Sequence, residues 1–237
     1  MGNEIISFFK TIITEIIIMP IAFIAGTIFN NRKKIKVLMQ GYKRYNKEIH
    51  IMCAYLFRVK YQDKYILIKE QNEKKYHPIG GVYKYYDSFK NIKENLEIRD
   101  EISKTSTEEN DLKISLKGKY LSQFLDWFAT GKNREVLIIR NFFKDLGSSF
   151  DFSMKLLKKS RIEFIKQIKE PIEFSNKYKG DEIIIFDIFE LELPPEMLKE
   201  IIKRKEIILV SDEDIEKGEY VINNQRQIIS KKSEYIL

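Results

Sequence analysis

The sequence predicts an α+β domain, a mixed sheet held between helices, preceded by an N-terminal transmembrane helix. Three observations lead there. Residues 11–29 form a long apolar run with a basic flank; strand-like runs alternate with amphipathic segments from residue 49 onward; and 237 residues leave enough chain beyond the run for one well-buried domain.

Eight Ile, two Phe and one Met in residues 11–29 stand against a single charge, Glu15. As a helix this stretch covers roughly 28 Å, close to the thickness of a bilayer's hydrocarbon core. Each large apolar residue favours insertion by about 0.3 to 0.6 kcal/mol, and their sum outweighs one acid near the end of the window. The cations Arg32, Lys33, Lys34 and Lys36 follow the run, the reverse of a signal peptide, and the positive-inside tendency puts residues 31–237 in the cytosol. Ala22 and Gly26 have a small-xxx-small spacing, and with Glu15 they point to self-association within the membrane. The alternative is a buried N-terminal helix of a soluble fold, since Glu15 and Pro20 within the run and Lys10 just before it weaken its apolar character. The expected organisation is thus a transmembrane segment over 1–30, a basic juxtamembrane linker over 31–48 and a folded domain over 49–237.

Net charge +7 and a pI near 9.1 suit an anionic ligand or anionic lipid, but Lys and Glu interleave through most of the chain, so no DNA or RNA polymer is expected as a partner. The run Arg32 to Lys47 reads as a segment that meets anionic lipid. A lone Cys53 excludes an intrachain disulfide and a multi-cysteine metal site, and with only His50 and His77 a histidine-rich metal centre is excluded too.

Residues 34–47 predict a short connecting helix at the membrane surface. Ile49–Val59 and Lys64–Glu70 predict a hairpin across the turn Lys60–Asp63. The Gly80-Gly81 pair predicts a tight loop. The charged stretch 88–118 reads as an insertion. Leu121, Phe124, Leu125 and Phe128 recur at i, i+3, i+4 and i+7, the spacing of one buried helical face, and Arg134–Leu146 is a second helix candidate. Ile162–Phe174 and Glu182–Leu193 predict a long hairpin ended by Pro194 and Pro195, which start a helix of about eight residues. Ile207–Val210 is a short strand, Ser211 caps a helix with acids in its first turn, and Ile222–Ile236 reads as a terminal helix.

A strand hairpin, the loop HPIGGVYK (His77 to Lys84), a helix, a second hairpin and a closing ILVSDEDIEKG step together resemble the Nudix fold over residues 49–237. In that family a helix after the Pro-x-Gly-Gly loop gathers carboxylates on one face to hold magnesium at a diphosphate. At the usual spacing Asp87 takes the first acid position, but Asn95, Leu96, Arg99 and Asp100 fall where the family's Arg and three Glu should be. A better alignment starts at Arg140, where Asn141 and Lys144 occupy two of the acid positions and only Asp145 survives as a vestigial metal ligand. A lysine in a magnesium site sets cation against cation, so no cofactor is expected. The apolar segment, the Pro-Ile-Gly-Gly-x-Tyr-Lys loop, FLDWF (Phe124 to Phe128), the Arg134-Glu135 step and the RNFFKDL helix are similar to the SMODS-associated Nudix domain.

That resemblance implies a bacterial antiphage effector of the CBASS type, single-pass in the inner membrane, whose domain binds a cyclic oligonucleotide and whose membrane segments then oligomerise and breach the bilayer. For an anionic nucleotide, backbone N–H groups at Gly80 and Gly81 would cradle phosphate, Lys84, Arg134 and Arg140 would pair with charge, and Tyr76, Tyr83 or Tyr85 would stack on bases, with His77 beside them. The alternative is a membrane-tethered pyrophosphohydrolase with magnesium held by Asp145, Glu135 and Asp87. A membrane adaptor without a ligand is a third reading.

Overall fold

The computed structural model describes residues 32–69, 75–101, 110–135, 138–139, 142, 159–222 and 225–237. The apolar run 11–29, with Glu15, Ala22 and Gly26, lies outside them, as do Arg140, Asn141, Lys144, Asp145 and most of the helix candidate over 134–146. Among the described residues no helix is long and apolar enough to cross a membrane.

The chain enters through α1 (Arg32–Lys43), then β1 (Glu48–Arg58), β2 (Lys60–Tyr61), β3 (Lys64–Lys69), β4 (Lys75–Pro78) and β5 (Gly80–Val82). After a 3-10 turn at Asp87–Phe89 come α2 (Lys90–Asn95), β6 (Arg99–Asp100), β7 (Lys113–Lys117), a second 3-10 turn at Gly118–Tyr120 and α3 (Leu121–Ala129). The C-terminal half holds β8 (Arg161–Lys169), β9 (Glu173–Ser175), β10 (Gly180–Glu192), α4 (Pro195–Ile201), β11 (Ile207–Val210), α5 (Asp212–Lys217), β12 (Glu219–Ile222), β13 (Gln225–Ile229) and a last 3-10 turn, Lys231–Ile236. One sheet runs β6-β7-β1-β10-β8, with β5 on β1 and β9 on β10; the other runs β11-β3-β4-β13-β12, with β2 on β3.

Strand β1 organises both layers. It lies parallel to β10 from Ile49 opposite Asp181 to Arg58 opposite Glu190. Successive side chains of a strand point to opposite faces. Ile49, Ile51, Cys53, Tyr55 and Phe57 therefore enter the larger core with Phe124 and Phe128 of α3, whereas Ala54 and Leu56 enter the smaller one with Leu67, Phe186 and Ile188. Cys53 is fully buried, and desolvation pushes its thiol well above its ordinary range. Ile138, Ile139 and Phe142 are buried in the larger core as well, Phe142 edge-on to Phe57 at 5.8 Å.

The periodic and capped segments fold as their sequence predicts. Leu121, Phe124, Leu125 and Phe128 form the buried stripe of α3. Ser211 and Asp214 make a reciprocal capping box on α5, which ends at Gly218 in the left-handed region, φ 71°. The long hairpin pairs β8 with β10 from Arg161 opposite Glu192 to Lys169 opposite Ile185.

Four expectations are corrected. The first hairpin turns on Gln62 and Asp63 alone, at φ 48° and 59°, the two-residue geometry whose twist matches the strands, and β1 and β3 then part into different sheets. The stretch 88–118 is not a mere insertion, because β7 pairs with β1 and buries Ile114 and Leu116. The C-terminal segment is a hairpin of β12 and β13 followed by a 3-10 turn rather than one helix, since β13 adds in parallel to β4 and that pairing outweighs weak helical periodicity. Gly80 and Gly81 belong to β5 and neither takes a positive φ.

Candidate functional site

Beyond β5 the chain runs from the core to the surface in four residues. Gly80 and Gly81 lie opposite Leu56 and Tyr55 of β1, and a Cβ at Gly80 would sit 2.2 Å from the Tyr55 carbonyl oxygen. Glycine serves here for close backbone approach rather than for a phosphate-cradling turn. Residues 84–86 are then held between two segments. Tyr85 N donates to Asn110 O (2.9 Å), Tyr86 N to Asn133 O (3.0 Å) and Glu135 N to Lys84 O (2.7 Å). Tyr83, Lys84 and Arg134 thus gather in one place, but two of the three face inward.

Tyr83 is buried, and its hydroxyl donates to Asp187 Oδ2 at 2.7 Å. Gln167 Nε2 donates to Asp187 Oδ1, also at 2.7 Å, so both oxygens of this buried carboxylate are occupied. The Arg134 guanidinium lies 4.3 Å from the centroids of both Tyr83 and Phe128, its Nη2 is 3.8 Å from Asp187 Oδ2, and its Nε donates to Phe128 O at 3.3 Å. A cation between two ring faces beside a buried anion is a closed electrostatic unit. Burial first, and then the Asp187 charge, hold the Tyr83 hydroxyl far above its ordinary range, so it stays a proton donor at any working pH. This unit ties β5, β8, β10 and α3 together.

Tyr76 is buried in the smaller core. Tyr76 and Tyr83 therefore offer no open face to a nucleobase, which corrects the expectation that they stack on one. His77 lies opposite Ile68, half-buried, with Nδ1 2.8 Å from Pro78 O. A carbonyl can only accept, so that nitrogen carries the proton.

The open chemistry lies on the other side of residues 85–86. A cleft of about 780 Å³ is lined by Tyr85, Tyr86, Lys90, Lys93, Arg99 and Asn110. Tyr86 is 51% exposed. Tyr85 is held in place, its hydroxyl donating to Asp100 Oδ1 at 3.0 Å, and Lys93 pairs with Asp100 while lying 5.4 Å from the Tyr85 ring. Of the acids at the rim, Glu97 accepts from Lys117 (2.6 Å), Tyr120 (2.5 Å) and Lys119 (3.3 Å), and chiefly the Lys117 hydrogen bond lowers its carboxyl to about 2. Lys90 and Arg99 are exposed beside Tyr86, with Arg99 Nη1 3.8 Å from Glu48 Oε1. Anions and aromatic bases both find partners in such a cleft.

Tyr86, Lys90, Lys93 and Arg99 are absent from the sequence-derived candidates. The signal for them was the run Tyr83 to Tyr86 leaving a strand, which must turn some of its aromatic residues outward, together with the cations just after it. Reading 88–118 as an insertion set those cations aside.

No curated protein and no solved structure shows significant similarity to the chain. A family profile described as the SMODS-associated NUDIX domain matches residues 48–237. Since that match runs from the first residue of β1 to the C-terminus, across both sheets and the cleft, the chain belongs to the SMODS-associated NUDIX domain family.

Proposed function

We propose that this protein is a membrane-anchored effector of CBASS-type antiphage defence, whose Nudix domain receives a cyclic oligonucleotide and whose membrane segments then oligomerise and disrupt the bacterial inner membrane. The observation that carries the reading is the cleft beside the Gly-Gly-Val-Tyr-Lys strand, where exposed Tyr86 stands next to Lys90 and Arg99. Its size falls within the range of small-molecule sites, roughly 300 to 1,000 Å³. Tyr86 would stack on a base while Lys90 and Arg99 pair with phosphates. Lys84 borders this region, and Arg134 acts behind it as a positioning residue.

The family's usual magnesium does not fit the residues present. At the box positions the donor set reads Asn141, Lys144 and Asp145, one carboxylate with an amide and a cation, whereas magnesium wants hard anionic oxygen. The hydrolase alternative would also need buried Glu135 and surface Asp87 to meet at one ion. We therefore read the domain as a receptor that no longer hydrolyses.

The test is calorimetric titration of the full-length protein in detergent with cyclic di- and trinucleotides. Saturable binding of one of them, weakened about tenfold in Tyr86→Ala, is expected from the worth of one base stack. Absence of binding by every cyclic nucleotide, or magnesium-dependent phosphate release that disappears in Asp145→Asn, would overturn the reading.

A further inference from the structure

Helix α1 presents two unlike faces. On one, Val37 is buried, and Gly41 lets the helix settle against α3, since a Cβ there would meet Leu121 Cδ2 at 2.7 Å. On the other, Met39 and Tyr42 are 57% and 74% exposed, and Tyr45, just past the helix, is 51% exposed and edge-on to Tyr42. With Ile35 and Leu38 they border a groove of about 450 Å³. Large apolar side chains clustered in the open mark a surface that something covers.

Two features identify the cover. From Arg32 to Lys47 the chain carries seven cations and no acid, and Lys36, Lys43 and Lys47 are exposed. Only two residues, Asn30 and Asn31, separate Phe29, the end of the apolar run, from Arg32, a reach of about 10 Å at full extension. An apolar strip edged with lysine, with tyrosine along it, is the make-up of a helix lying in a bilayer interface.

We infer that this face of α1 lies on a bilayer surface containing anionic lipid, with Met39, Tyr42 and Tyr45 at the headgroup boundary and Lys36, Lys43 and Lys47 against lipid phosphates. The inference rests on the membrane part of the proposed function and is independent of the nucleotide. It turns a tethered domain into an oriented one. Lys119, which borders the same groove, also donates to Glu97 at the rim of the cleft, so the two surfaces are one side chain apart.

Cys53 is the protein's single cysteine and is fully buried, so Tyr42→Cys gives one accessible thiol for an NBD label in the full-length chain. The labelled protein goes into nanodiscs of phosphatidylcholine alone or mixed with phosphatidylglycerol, each with a spin-labelled quencher lipid. Val221→Cys, 62% exposed on β12, is the control. With phosphatidylglycerol, about twofold quenching is expected at position 42 and little at 221, with the quenching at 42 lost in Lys36→Glu/Lys43→Glu. Equal quenching at the two positions overturns the inference, as does a label at 42 that is shielded without lipid quenching while the unlabelled Tyr42→Cys protein, treated with an oxidant, forms a disulfide with a second copy. A chain that co-elutes with the discs yet is unquenched at 42 overturns the docking and leaves the anchor standing. A chain that co-elutes with no disc overturns both.

Discussion

Around residues 83–86 a sealed polar unit and an open cleft adjoin, and the same residue types serve different ends in each. Tyr83, Arg134 and Asp187 satisfy one another inside the larger core, where an unpaired charge would be costly. Tyr86, Lys90 and Arg99 line the cleft and face water, Arg99 with Glu48 3.8 Å away. What separates the two is direction, not composition. A chemically rich residue that is already fully engaged supports architecture, and only its exposed neighbours are placed to meet a ligand.

The sharpest way to break this contrast is to open the sealed unit. Asp187→Ala strips partners from Tyr83, Gln167 and Arg134 at once and should cost about 3 to 5 kcal/mol, read as a fall in the urea midpoint. Gly80→Ala drives a methyl into the Tyr55 carbonyl, and a loss of about 1 to 3 kcal/mol in the same measurement is expected. If either substitution weakened nucleotide binding without lowering stability, the sealed unit would belong to the site after all.

On the cleft side the pattern should reverse. Tyr86→Ala should change stability by less than about 0.5 kcal/mol. Its affinity for a cyclic nucleotide should fall by about 1 to 3 kcal/mol in calorimetry. The smallest effect concerns Glu97. Its folded-state carboxyl is depressed from 4.5 to about 2, so its contribution to stability is present above the ordinary value and fades as pH falls from 4.5 toward 2. Urea midpoints of the parent and Glu97→Gln should differ at pH 6 and converge near pH 2; a constant difference would mean that Glu97 acts by packing.

How far the sequence reveals this fold depends on how local each cause is. The stripe Leu121, Phe124, Leu125 and Phe128, the Ser211 cap and the hairpin across 161–192 are set by neighbours in the chain, and they read correctly. Strand β7 was hidden because Lys113, Ser115 and Lys117 alternate with only Leu112, Ile114 and Leu116, a short signal inside a charged stretch. Strand β13 depends on Tyr76, more than 150 residues earlier, for its pairing. At the site, the loop and the arginine were recognisable as a cluster of polar chemistry, but nothing in the order of residues tells an inward tyrosine from an outward one. Partners far along the chain receive the inward Tyr83: Asp187 from β10 takes its hydroxyl, and Phe128 and Arg134 pack on its ring.

Because β1 sends alternate side chains into both cores, neither layer can loosen without disturbing the other. The domain should melt in a single calorimetric transition, with no half-unfolded plateau. On the receptor reading proposed above, such a build would leave few graded responses: a ligand that shifted β1 would shift everything threaded on it, and the signal would leave the domain as a step.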